Sequence, residues 1–216
     1  MKSLFDNPDS LALIDKYYSL LMEEADRGCI LLGLSIIDEQ FDILFKRIMP
    51  PNTSQTITKK LFDAKGAFDC LGSKIDIAYV SNVLPLHLYK ALHKLKGLRN
   101  HLAHRISPFS IQDKLGDIYE IFSLLNEAAP TGLLQMSGKV IYDEYLNRVM
   151  QLEDPHNDGE KLFSTIEEAI DYLHNQPDIL SSLREQRVKA LFIMGVITIS
   201  ALIIFHRERY IAKIAR

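Results

Sequence analysis

Tryptophan is absent from the chain, and cysteine occurs only twice in 216 residues, as Cys29 and Cys70. Two thiols cannot build a disulfide framework or a four-thiolate zinc site. Both stand in apolar stretches, so they are expected to be buried thiols in a reducing compartment. An excess of positive charge is also missing. Lys and Arg number 25 against 28 Asp and Glu, which gives a net charge of −3 and a pI near 6.2. That excludes a generally basic nucleic-acid coat, and specific DNA binding is not expected. The phosphate-loop (Gly-x-x-x-x-Gly-Lys-Ser/Thr), nucleophile-elbow (Gly-x-Ser-x-Gly) and zinc-protease (His-Glu-x-x-His) patterns do not occur. Nucleotide-hydrolase, α/β-hydrolase and zinc-protease chemistry therefore has no support. No metal site and no cofactor are expected. The opening residues carry no apolar run of signal-peptide length, so the bulk of the chain is expected in the cytoplasm.

What is present is helical periodicity. Apolar residues make up 47% of the chain and charged residues 25%, values that exclude whole-chain disorder. Asn7-Pro8-Asp9-Ser10 reads as a turn and helix cap, with an amphipathic stretch from Leu11 to about Glu24. From Asp26 to Ile48 the apolar residues Ile30, Leu34, Ile37, Phe41, Leu44 and Ile48 recur at helical spacing, and Pro50-Pro51 ends the run. Residues Thr53 to Thr58 are polar and read as a loop. A short helix is expected over Ser73–Val80. Another stripe runs through Leu88, Leu92, Leu95, Leu98 and Leu102 and closes at Ser107-Pro108. Ile111 to Ala129 reads as a further helix stopped by Pro130 and Gly132. Val140-Ile141-Tyr142 suits a strand or a helix, and Ser164-Thr165 with Glu167 and Glu168 reads as a helix start. Gly28 and Gly33, inside a helical pattern, suggest close helix packing. The expected fold is all-α. It is a helical bundle over residues 1–130, a connector or small appendage over 131–187, an apolar helix over 188–206 and a basic tail over 207–216.

The apolar helix is the sharpest compositional feature. Ala190 to Phe205 contains 16 residues without a charge. At about 1.5 Å per residue, 16 to 18 residues span roughly 24–27 Å, a little short of a bilayer core. Lys189 and Arg207 are placed to snorkel across the shortfall, and Thr198 and Ser200 can bond back to the helix backbone. A transmembrane helix that anchors a cytoplasmic domain to the cell membrane is therefore expected, against the alternative of a buried core or oligomerisation helix. The flanking cations, Arg184, Arg187 and Lys189 before and Arg207, Arg209, Lys213 and Arg216 after, do not set an orientation.

Residues that carry chemistry concentrate in Leu92–Arg105, which holds His93, His101 and His104 among Lys94, Lys96, Arg99 and Arg105. Lys96, Asn100 and His104 share one helical stripe. Arg99 and His104 stand five apart, about 140° around a helix, so they converge only where the helix ends or bends or where a second copy supplies one of them. An arginine grips phosphate oxygens, and a histidine near neutrality moves the proton of a ribose hydroxyl. The alternative is a solvated helix face with Arg99 and Asn100 bonded to a neighbouring helix. Asp38 and Asp42, one turn apart, read as a solvated pair or as partners of a cation on another helix.

The stretch Leu98-Arg99-Asn100-His101-Leu102-Ala103-His104 resembles the arginine–asparagine–three residues–histidine signature of HEPN-like helical domains. Three blocks in order are similar to the MltR family, named for a repressor of the mannitol operon. They are Asp26-Arg27-Gly28 leading to Ile37-Asp38-Glu39-Gln40-Phe41, then Leu61-Phe62 with Gly72-Ser73-Lys74-Ile75-Asp76-Ile77-Ala78-Tyr79, and then Leu95 to His104. The likeness covers roughly residues 10–125. It implies an all-helical regulatory protein without a recognisable helix-turn-helix. Many HEPN domains are metal-independent ribonucleases that cut as dimers. On that likeness Arg99 and His104 are the catalytic candidates, supported by Asn100, with Lys96, His101 and Arg105 as candidate substrate-binding residues, and one of Asp38 and Asp42 is expected to pair with Arg99 and orient it. The apolar run after Val188 lies outside the shared region and argues against a freely diffusing repressor.

The function expected on these grounds is a regulatory interaction module, homodimeric and membrane-tethered, with a protein or RNA partner. The alternative is a HEPN-like ribonuclease of the stress or phage-defence kind that uses Arg99 and His104.

Overall fold

The structure, a computed structural model, describes residue 4 and residues 7–103, 109–155 and 159–214. Among these residues the fold is all-α. Nine helices occur, α1 (Pro8–Glu23), α2 (Asp26–Ile48), α3 (Gln55–Phe62), α4 (Leu71–Val80), α5 (Leu86–Ala103), α6 (Leu115–Ser123), α7 (Ala129–Val149), α8 (Ile166–His174) and α9 (Pro177–Ile214). A 3-10 turn (Gln112–Lys114) leads into α6. The only β-type pairing among the described residues is an isolated bridge between Glu153 and Lys161.

Local chemistry explains most boundaries. Asn7 accepts from the Asp9 amide at 2.9 Å, and Pro8 opens α1. Thr165 and Glu168 form a reciprocal capping box that starts α8. Asn82, at φ 57°, takes the left-handed conformation that ends α4. Two expectations change, and one left open between strand and helix is resolved. Thr53–Thr58 is not all loop, because Ser54 caps α3 through the Ile57 amide at 3.3 Å. The Phe62 and Phe68 rings then pin that segment onto Phe45. The helix expected to reach Ala129 stops at Ser123, and Pro130 sits in the first turn of α7, where a prolyl ring costs no hydrogen bond. Val140–Tyr142 is helical, inside α7.

The stripe on α2 is buried as its spacing requires, with Ile30, Ile37, Phe41 and Leu44 fully enclosed. Each such side chain contributes about 1.5–3 kcal/mol relative to exposure. The partner of that stripe is α9. It packs against α1, α2, α6, α7 and α8, and one apolar core runs from Leu13 to Ile204. By length and composition α9 is able to cross a membrane. In the bundle, 78% of its most apolar window is buried. Ala190, Leu191, Phe192 and Ile193 are consecutive and all fully enclosed, so every face of the helix is covered by protein.

Close approaches permit this packing. A Cβ on Gly33 would meet Phe192 at 3.1 Å and Val196 at 3.3 Å, so this glycine is where α2 touches α9, as its position in the helical pattern suggests. A Cβ on Gly195 would overlap the Phe122 ring of α6. The cations that flank the apolar run are also engaged. Lys189 donates to the Met22 carbonyl at 2.7 Å and to the Glu24 carbonyl, and so caps the end of α1. Arg207, only 2% exposed, bonds Asp9 in the first turn of α1 at 3.1 Å and Glu208 at 2.9 Å. Both were expected to snorkel outward; both instead clasp α1, which runs antiparallel to α9. Ser200 does not bond back to its helix, and its hydroxyl is buried without a partner among the described residues. In a close-packed interior the orientation of a small side chain is set by its neighbours, ahead of one optional hydrogen bond.

Candidate functional site

The C-terminal half of α5 positions the candidate residues. Leu88, Leu92, Leu95, Leu98 and Leu102 bury one face against α2, α4 and α6, and the polar side chains between them must point away from the core. Lys96, Arg99 and Asn100 emerge together into a hollow of about 400 Å³. Its other walls are Leu34, Ser35 and Asp38 from α2 and Asp69, Cys70, Leu71 and Gly72 from the start of α4. Arg99 is exposed and donates to the Asn100 side chain at 3.5 Å. Among the described residues it meets no acid.

The remaining candidates separate from this group. His101 is exposed in a different cleft, beside Lys94, Lys114, Asp117 and Glu120. Two ion pairs line that cleft, Lys94–Glu120 and Lys114–Asp117, the latter at 3.0 Å. His104 and Arg105, and the close of the helix at Ser107-Pro108, lie outside the described residues. The structure therefore brings Arg99, Asn100 and Lys96 together and places His101 apart.

The carboxylates of the hollow are committed elsewhere. Lys74 of α4, its side chain 4% exposed, reaches Asp38 at 2.7 Å and Asp42 at 2.5 Å. Burial disfavours the Lys74 charge, but hydrogen bonds and attraction from both aspartates outweigh it and raise its pKa. Asp38 and Asp42 are thus partners of a cation on another helix, and neither orients Arg99. Asp69 accepts from the Lys65 amide at 3.2 Å. The side chains left to meet a ligand are Lys96, Arg99 and Asn100, beside the first backbone amides of α4. That helix end carries a partial positive charge and has no side-chain cap from Cys70. The ammonium of Lys96 reaches the helix end itself, for it lies 2.4 Å from where a Cβ on Gly72 would be. An assembly of a guanidinium, an ammonium and free amides holds anionic oxygen.

Sequence reasoning missed Lys74, Cys70 and Gly72. Lys74 had a signal, because it falls on the apolar stripe of α4 with Leu71, Ile75 and Ala78. A charge on such a stripe asks for a buried partner. Cys70 is exposed, contrary to expectation, because it stands before the first turn of α4, with its sulfur 3.2 Å from the Ser73 hydroxyl. Cys29 is buried as expected, and burial pushes its thiol up to about 12. A maleimide added to the folded protein is accordingly expected to label Cys70 and spare Cys29, with mass spectrometry as the readout; labelling of both at equal rates would contradict the packing of α2. No group of three or more histidines, cysteines and acids able to hold a metal occurs among the described residues.

No family model, curated protein or solved structure matches the chain.

Proposed function

We propose that the protein is a regulatory interaction module that holds an acidic or phosphate-bearing group of a protein or RNA partner in the Lys96–Arg99–Asn100 hollow. The observation that carries this reading is the exposed Arg99 guanidinium, free of acid partners among the described residues, beside Lys96 and the uncapped start of α4. The resemblance of residues 10–125 to the MltR family supports the regulatory role, and a second copy of the chain is part of the same proposal. The test is binding of a labelled single-stranded RNA and of inorganic phosphate, measured by fluorescence and calorimetry. Arg99→Ala and Lys96→Ala are each expected to weaken binding about tenfold without lowering the melting temperature, since each removes one charge-assisted contact. Unchanged affinity in both variants refutes the role of the hollow.

The contact between Arg99 and Asn100 also favours the ribonuclease reading, in which His104 supplies the proton transfer. That reading expects metal-independent RNA cleavage that is lost in Arg99→Ala and in His104→Ala, with the fold retained. RNA left intact by the purified protein disposes of it.

Two roles satisfy the length and composition of α9. As an anchor it would hold the domain at the cytoplasmic face of the cell membrane. As a core helix it would organise the bundle. The second is favoured by the burial of most of residues 190–204 and by the clasp of Lys189 and Arg207 on α1. The fraction in which the chain is recovered without detergent separates the two.

A further inference from the structure

One end of the bundle carries a surface that neither reading above uses. It is the end where α2 and α9 finish, joined by Arg47, which donates to Glu208 at 2.7 Å. Helix α3 hangs from the same end, with the Lys46 ammonium 5.1 Å from the centre of the Phe62 ring. The turn from α4 to α5 is there too. Burial first, then the charges of Arg209 and His87, push the His206 pKa down to about 4, so the start of α5 lies close to the last turns of α9.

Two properties coincide at this end. The first is charge. The chain as a whole has a net charge of −3, yet residues 46–63 and 205–214 hold seven Lys and Arg against two acids. Glu208 is taken up by Arg47 and Arg207. Lys59, Lys60 and Lys213 are exposed and meet no acid among the described residues, and Arg209 rests only on the Phe205 ring, at 5.5 Å. The second is apolar exposure. Ile57 is 53% exposed, Ile214 57% and Val80 73%, and Leu86 and Phe205 are exposed beside them. Single exposed apolar residues are ordinary, but a group of them among unpaired cations is not. No residue of α3 is buried. Ile57 stands about 140° around that helix from Phe62, so it faces away from the contact that holds α3 to the bundle. RNA stacks its bases on aromatic rings and gains little from aliphatic side chains. A bilayer surface uses both, with aliphatic groups at the acyl boundary and lysines on acidic headgroups.

We propose that this end of the bundle docks on an anionic lipid bilayer, with Ile57, Phe205 and Ile214 entering the headgroup boundary and Lys59, Lys60, Arg209 and Lys213 resting on the acidic headgroups. The contact is peripheral. It rests on the reading of α9 as a core helix, which stays enclosed while only the last turns of α9 meet lipid. Arg99 lies about 20 Å further along α5 from Leu86, so the Lys96–Arg99–Asn100 hollow stays open to its own ligand.

The experiment is sedimentation of the full chain with vesicles of phosphatidylcholine alone and of phosphatidylcholine and phosphatidylserine in equal parts. Binding to the mixed vesicles only is expected, with release by molar sodium chloride. Each cation near an anionic surface is worth roughly fivefold in affinity. Lys60→Gln with Lys213→Gln is therefore expected to weaken binding at least tenfold, and Ile57→Ser about threefold or more, each at the melting temperature of the parent. The control pair Lys139→Gln with Arg184→Gln removes the same charge from exposed positions, Arg184 lying about 36 Å along α9 from Glu208. That pair, and Arg99→Ala, are expected to bind as the parent does. Absence of binding to the mixed vesicles overturns the proposal, even where the Lys60 and Lys213 pair is found to matter for RNA. Equal binding to neutral vesicles, or binding that salt does not release, also overturns it and marks insertion of α9. An equal loss in the control pair would mark diffuse charge attraction only, and a loss in Arg99→Ala would move the contact to the hollow; either result overturns the docking surface.

Discussion

Gly195→Val is expected to leave the protein largely unfolded at ambient temperature, and Gly195→Ala to lower its stability by about 1–3 kcal/mol. The direction is opposite to the usual effect of the same change. In an exposed helix interior, alanine is better than glycine by about 1 kcal/mol because it restricts the unfolded chain. At Gly195 the added carbon would occupy the place of the Phe122 ring. Phe122 is fully enclosed and has no free volume to swing into. Either α6 lifts from α9 or the ring leaves its rotamer, and both expose apolar surface. Valine enlarges the conflict beyond what a stability of about 5–15 kcal/mol readily absorbs. Urea unfolding followed by circular dichroism gives the measurement. The double variant Gly195→Ala with Phe122→Leu should recover part of the loss, since the two positions share one space. A Gly195→Ala protein as stable as the parent would mean that α6 does not rest on α9 in solution. That is the behaviour of a helix released to a bilayer.

Lys74→Met carries the second large effect, a loss of about 2–4 kcal/mol. Methionine fills nearly the same space, so the effect is electrostatic. Without the ammonium, Asp38 and Asp42 stand one turn apart with nothing between them to offset their repulsion. Both carboxylates are about one-third exposed, at 37% and 33%, and water moderates the penalty. Converting both acids to asparagine in the Lys74→Met background should restore most of the loss, and failure to do so would assign the effect to packing. The pH dependence follows from the raised pKa of Lys74. A lysine whose folded pKa exceeds its unfolded value contributes its full stabilisation below the unfolded value of 10.5. That contribution is lost as pH rises through the folded value. Parent and Lys74→Met stabilities should therefore converge on the alkaline side.

Elements with a strong period or a reciprocal cap could be read from the chain. The stripe Ile30–Ile48 gave α2 with both of its ends, because burial of one face demands that spacing. Thr165 and Glu168 gave the start of α8. Short elements held by tertiary contact could not be read. α3 spans 8 residues with none buried, and it is held to α2 through the Phe62–Phe68–Phe45 contact. Pro130 was ambiguous because the same ring ends one helix and begins another. The apolar run at 190–205 was visible, but lipid and protein interiors select the same side chains there. What tells them apart is the behaviour of Lys189 and Arg207, which depends on where α1 lies. The candidate site was legible in part for a related reason. Spacing placed Lys96 and Asn100 on one stripe. That Arg99 joins them, and that His101 does not, depends on the walls supplied by α2 and α4.

The position of α9 in the chain has a consequence for biosynthesis. Translation proceeds from the N-terminus, and domains begin to fold as they emerge. Here α1 to α8 all leave the ribosome before residues 188–204, on which the apolar sides of α1, α2 and α7 close. The nascent polypeptide must carry those sides uncovered through most of its elongation and complete its collapse only near the end. It is thus a natural client for chaperones, and a premature stop codon ahead of Val188 would yield an aggregating fragment instead of a smaller working domain.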